Sequence, residues 1–435
     1  MNQAVAKLII AVLLTICLAS CDDDQRIRKV CDDDEISAAD ATWSHGEGDL
    51  QNTRRAPELR NKGCIQLSLS KPTLQWSFEL GGPGTAAAPV IADDGTIYLV
   101  GEYPGEPHGG GIRRLGLMAI TPSGSLKWFF ERPINIESAI AAYYTSTVAL
   151  GTDQTVFLTL FDSTIYALNT DGTTQWLYRS TSSFTDPAID KNDRIYSASK
   201  DTVFCFYKDG KIRWRSPQPD ILSWSTKLVL GKHLILVGLF NQGILALDYN
   251  GKKQWLYTVN YGYTGHRGII VDEDDNCYLK TGDNNLVSLD RNGHLRWSIG
   301  SPGGFGISEQ ALHGTYLYIT LSNALRRINK DTGNSEEVVA TFPRVFDFDS
   351  SPLVADDGAV LAATRFTGPI SGSIPANIPL VAAVNPTGTV LWSIPILGAE
   401  QTDFSGYFAL TALGEIYLAT YSSDPSTINR LYKFK

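Results

Sequence analysis

Acidic and aromatic side chains recur close together at intervals along the chain. Phe184 stands near Asp186, Phe305 near Glu309, and Asp403 beside Phe404. Asp347 and Asp349 alternate with Phe346 and Phe348. Trp224, Tyr263, His266 and Arg267 occupy comparable stretches. An aromatic face stacks on a sugar or a cation, and a carboxylate beside it accepts hydrogen bonds and supplies charge. If these groups converge, they form an aromatic, acidic funnel suited to a sugar, a peptide or a cation. In the alternative reading the rings pack beneath their loops and the acids are simply solvated. Spacing alone selects neither, and it singles out no catalytic residue. The chain carries no G-x-S-x-G elbow, no phosphate loop, no zinc-type Cys/His spacing and no C-x-x-C-H haem motif.

The elements that would position these groups come from a repeat. "ALNTDGTTQWLYRS" from Ala167 returns as "ALDYNGKKQWLYTV" from Ala246, "SLDRNGHLRWSIG" from Ser288 and "AITPSGSLKWFFE" from Ala119. Aligned on the indole, units end at Trp76, Trp128, Trp176, Trp214, Trp255, Trp297 and Trp392. One position breaks the series, since Glu337 stands where an indole is due. A period of roughly 40 to 50 residues points to a propeller or a solenoid. Each unit reads as four short strands of β-branched and aromatic residues, separated by Asp, Asn and Gly turns, with no sustained helical period. Four antiparallel strands per unit make a propeller blade. The fold class is therefore all-β, an eight-bladed β-propeller. The last unit lacks a fourth strand, and "LQWSFEL" from Leu74 is a fourth strand with no unit before it. The two are expected to pair and close the ring, leaving no open edge.

Strand alternation puts the turns between strands one and two, and three and four, on one face of the disc. These are tight "DDG", "DG" and "NG" turns. The opposite face takes the irregular stretches, including three inserts, Glu102–Arg114, Arg365–Pro379 and Ser422–Ile428. They fall in blades 1, 7 and 8, consecutive around a closed ring, and suggest a binding edge, because loops on a rigid scaffold carry function. The other possibility is that inserts are tolerated anywhere on a surface. The tryptophans read as structural wedges between blades, each N–H reaching a backbone oxygen.

The N-terminal stretch has a different character. Lys7, a short apolar run from Leu8 and the small residues of "LASC" make an export signal over residues 1–20. The run ending at Cys21 resembles the bacterial lipoprotein lipobox, which implies lipidation of Cys21. Asp22 after such a cysteine is associated with the inner membrane in enteric bacteria, a rule that varies, so the choice of membrane stays open. Residues 21–72 form a lead-in, and 73–435 the propeller. Cys31 and Cys64 lie together in the lead-in of an exported chain, where disulfides persist, and are expected to pair. Cys205 and Cys277 fall in different units and are expected to be buried free thiols. The formal net charge of −9 and the lack of a basic cluster speak against a nucleic-acid partner.

The units resemble the pyrroloquinoline-quinone-like β-propeller repeats, shared by quinoprotein alcohol dehydrogenases and the non-enzymatic BamB-type lipoproteins. Ala167, Asn169, Gly172 and Trp176 match the family's docking phrase in order, as do Ala246, Asp248, Gly251 and Trp255. The stretch from Thr42 to Pro57 resembles the family's lead-in. The enzymes of this family hold the quinone with calcium and an Asp base, and many place an adjacent cysteine pair over it. Asp186, Asp349 and Asp403 are possible acids here, but no adjacent pair exists. The resemblance implies a non-catalytic binding or scaffold lipoprotein of the bacterial envelope, a monomer that engages a protein or other ligand through its loop-rich face. The alternative is an enzyme or cofactor binder at the channel mouth, either a divergent quinoprotein using the quinone and calcium or a carbohydrate-active propeller.

Overall fold

The computed structural model describes residues 70–81, 88–104, 114–132, 148–160, 162–218, 225–239, 243–259, 268–281, 285–300, 310–321, 324–341, 346–347, 352–355, 357–366, 379–396, 405–411, 413–421 and 429–435. The signal segment, the lead-in and Cys21, Cys31 and Cys64 lie outside them.

Third-blade residues show how sequence becomes sheet. Ala188–Ile189, Ile195–Ser199, Thr202–Phe206 and Ile212–Pro217 hydrogen-bond in that order as one antiparallel sheet. Its second strand is buried along its whole length, and the third nearly so. Both faces of these strands meet neighbouring blades, so their sequences run apolar without strict alternation. The fourth strand is an edge, and its burial alternates.

The pattern recurs in eight sheets. Blade 1 spans Val90 to Arg132, blade 2 Val148 to Arg179, blade 4 Ser225 to Thr258, blade 5 Ile270 to Gly300 and blade 6 Ala311 to Thr341. Successive first strands touch, as Ala188–Ile189 does with Val148–Leu150 on one side and Ser225–Leu230 on the other, so they make the inner ring. Blade 8 consists of Ser405–Leu410, Ile416–Tyr421, Arg430–Phe434 and Leu74–Glu79. Its last two strands pair antiparallel from Leu74↔Phe434 to Glu79↔Arg430. Reciprocal bonds, Thr73 N–H to Lys435 O at 2.8 Å and Lys435 N–H to Thr73 O at 3.0 Å, fasten the far end. The N-terminal strand thus completes the C-terminal blade, as the sequence predicts.

Blade 7 departs from the four-strand expectation. Its innermost strand is broken into Phe346–Asp347 and Leu353–Val354, both paired with Val360–Phe366. Phe346 and Asp347, read from sequence as part of a loop between blades, are in fact paired backbone. The cause is the length of Val360–Phe366, which runs past Leu353–Val354 and offers free backbone groups to the preceding segment.

Candidate functional site

The two faces of the disc are built differently. On the tight-turn face each indole docks on the next blade. The N–H groups of Trp76, Trp128 and Trp176 donate to Pro122, Thr170 and Lys208 carbonyls at 2.9, 2.9 and 2.8 Å. Those of Trp214, Trp255 and Trp297 donate to Tyr249, Arg291 and Lys330 carbonyls at 3.1, 2.8 and 2.9 Å. The ring plane lies on the turn glycine of that next blade. A Cβ on Gly172, for instance, would sit 2.9 Å from the Trp128 ring, and its φ of +86° already favours glycine. Across from the indole on its own sheet stands a small residue in blades 1 to 5, Ala119, Ala167, Cys205, Ala246 and Ser288, whereas Lys433 stands across from Trp76 in blade 8. The tryptophans are wedges between blades, as expected.

Nearer the axis, a second set of cross-blade bonds joins the turns between first and second strands. In six blades the last residue of these turns is left-handed, and in three of them it is glycine, Gly95, Gly358 and Gly414. In three blades it is not. Gln154, Asp193 and Asp275 hold φ of 66°, 55° and 62°. Each reaches to the preceding blade. Gln154 exchanges two hydrogen bonds with Asp93, at 2.9 and 3.0 Å. Asp193 accepts from the Thr152 N–H at 2.7 Å and its hydroxyl at 2.5 Å. Asp275 accepts from the His233 N–H at 3.0 Å and lies 2.7 Å from its Nδ1. Burial pushes the Asp193 carboxyl up, but Thr152 and Lys208 outweigh it and hold it below the ordinary range. Sequence reading missed these latches. A non-glycine residue where sister turns carry glycine was the available signal.

The opposite face bears the inserts, and the structure describes their stems. The blade 1 insert is pinned where the Tyr103 N–H donates to Arg114 O at 2.8 Å. The Arg114 guanidinium lies 4.2 Å over the Tyr103 ring and donates to Glu131 at 2.6 and 2.9 Å. The hydrogen bonds from Arg114 hold the Glu131 carboxyl below its usual range. The blade 8 insert starts and ends on Tyr421 and Asn429. There the Thr420 hydroxyl donates to Arg430 O at 3.1 Å and accepts from its N–H at 3.0 Å. Leu80 and Gly81 join the two stems, donating to Asn429 O at 2.8 Å and Glu102 O at 3.3 Å. The blade 7 stem is braced by Phe346↔Phe366 and Asp347↔Arg365.

Of the proposed channel-mouth residues, two are described with their side chains. Phe184 packs its ring on Tyr178 and Phe204, at centroid distances of 6.2 and 5.5 Å. Asp186 is half-buried two residues before the first strand of blade 3. Lys227 holds the corresponding place in blade 4 and is buried. Asp347 is placed by its backbone only. Trp224, Tyr263, His266, Arg267, Phe305, Glu309, Asp349, Asp403 and Phe404 lie outside the described residues. Among the described residues no three His, Cys, Asp or Glu side chains gather in a way that could hold a metal ion. Cys205 and Cys277 are buried free thiols. Burial raises both, Cys277 to about 12, so neither is a ready nucleophile.

Residues 161–314, from within blade 2 to the first strand of blade 6, match the family described as outer membrane protein assembly factor BamB. No curated protein matches the chain. Among solved structures, the chain is similar to the computationally designed Ika8 protein, at 13% identity and a TM-score of 0.54, over 82% of this chain and 98% of that one. BamB from Moraxella catarrhalis also matches, at 15% identity and a TM-score of 0.42, over 66% of this chain and 95% of that one. Over residues 161–314 the chain is thus similar to that family, and its eight blades and indole-on-glycine joints give it the fold of an eight-bladed β-propeller.

Proposed function

We propose that this protein is a non-catalytic binding or scaffold lipoprotein of the bacterial cell envelope, engaging a protein partner through the insert-bearing face of blades 7, 8 and 1. One observation carries the reading. The stems of three inserts are braced on one arc, and two of them are bonded to the same dipeptide, Leu80–Gly81. Rigid stems lower the ordering cost of loops that bind. The family match to an assembly factor supports an envelope setting. In this reading Cys21 carries the lipid, and Cys31 pairs with Cys64 in the lead-in. The disc acts as a monomer with no nucleic-acid partner.

The test replaces residues 105–113 with an Asn-Gly turn, which keeps the Tyr103–Arg114 stem. Partners cross-linked to the intact protein in envelope extract are identified by mass spectrometry and compared with those of the variant. The expected outcome is one defined partner lost in the variant, with an unchanged melting temperature. The same partner retained by variants of all three inserts would overturn the surface. Calorimetric binding of the quinone with calcium, together with dye reduction, would instead favour the catalytic reading.

A further inference from the structure

We propose that the joint between blades 6 and 7 is a yielding seam built into the ring, across which these two blades part transiently while the other joints stay shut. The inference does not rest on the binding role above. Three separate observations meet at this joint.

The first is the missing wedge. Glu337 stands four residues after the turn glycine Gly333, the place that Trp128, Trp176, Trp214, Trp255 and Trp297 hold in blades 1 to 5. Strand pairing is irregular there, with register shifts on both sides of Arg326. Arg327 fills the position that six sister blades give to a small residue opposite the indole, and its guanidinium lies 4.7 Å over the Tyr316 ring of its own blade, as Lys433 opposite Trp76 lies over Tyr417 in blade 8.

The second is the core of the joint. Among the described residues it consists of Ala311, Tyr318 and Leu325 from blade 6 with Val354, Val360, Ala362, Ala382 and Val384 from blade 7. Alanine and valine dominate. The neighbouring joint between blades 5 and 6 holds Ile270, Tyr278, Leu286 and Trp297 against Leu312, Leu317, Ile319 and Ile328. Small side chains bury less apolar area, so these described residues gain less from closure than their counterparts between blades 5 and 6.

The third is the connection. Phe346–Asp347, which leads from blade 6 into blade 7, is paired to blade 7. It would travel with blade 7 and not hold the two blades together. The joint between blades 7 and 8 is different. It also departs from the pattern, because the chain ends replace the turn glycine that would receive Trp392. Yet Trp392 is buried there, and one continuous core runs from blade 7 through blades 8 and 1 into blade 2. The joint that the chain ends close is therefore not the weak one.

Hydrogen exchange on the full chain, read by mass spectrometry, tests this. Amides of Ser335–Thr341, Val360–Phe366 and Pro379–Val384 are expected to exchange about tenfold faster than those of the matching strands in blades 4 and 5. Equal rates, or first exchange in Leu74–Glu79 and Arg430–Phe434, would overturn the proposal. Glu337→Trp should slow exchange at this joint alone. If that variant does not fold, Trp255→Phe remains decisive. It should speed exchange between blades 4 and 5 toward the rate seen between 6 and 7. No response there would refute the role given to the missing indole.

Discussion

In blades 1 to 5 the indole of the fourth strand has a small partner on its own sheet, a turn glycine on the next blade, and a carbonyl for its N–H. Trp176 has all three in Ala167, Gly210 and Lys208. The inner latches make a different bargain. Asp193 holds a backbone conformation that glycine would adopt more readily, and its hydrogen bonds to Thr152 offset that strain. If the latch outweighs the strain, Asp193→Gly destabilises the protein even though glycine suits the backbone better. The expected loss is about 1 kcal/mol, because the Thr152 N–H and hydroxyl lose their charged acceptor. Urea unfolding measures it, and a neutral or stabilising result would reduce the latch to a by-product of the turn.

At the scale of the element, the turns tie adjacent blades through charge as well as shape. Asp272, on the first turn of blade 5, is buried and lies 3.4 Å from Lys330 of blade 6. Burial pushes its carboxyl up, but hydrogen bonds from Asn276 and Tyr278 and the charge of Lys330 more than compensate and hold it below the ordinary range. Its folded form therefore favours the carboxylate. The resulting stability is complete above about pH 4, the unfolded value, and drains away as pH falls through the lower folded one. Asp272→Asn should flatten the fall in unfolding midpoint below about pH 4 while lowering the midpoint at neutral pH. An unchanged acid limb would dismiss Asp272 as its source. Elements were also what the sequence displayed best. The Gly-to-Trp spacing marks the fourth strands of blades 1 to 5 and 7, because turn and wedge are set within a few residues. The insert stems were not legible. Leu80 meets Asn429, and Arg114 meets Glu131, only after distant segments have paired. Phe184 shows the same limit, since its packing on Tyr178 belongs to a contact between blades 2 and 3.

For the whole molecule, the decisive act is the pairing of Leu74–Glu79 with Arg430–Phe434. Removing residues up to Leu80 strips blade 8 of its outer strand and Gly124 of the Trp76 ring. The expected result is a stability loss of at least ~3 kcal/mol, the scale of deleting a packed tryptophan, with self-association through the bared edge. Adding a peptide of residues 74–80 should reverse both, as followed by melting temperature and light scattering. Failure of the peptide to act would mean that the strand contributes only as part of the continuous chain. The same pairing has a practical corollary. Thr73 and Lys435 sit where the other blades make their turn between third and fourth strands, on the side of the disc remote from Tyr103, Phe366 and Tyr421. Any anchor upstream of Thr73, or any reporter grafted after Lys435, therefore departs from the back of the plate. A sensor chip loaded through Lys435 would display the decorated side to solution.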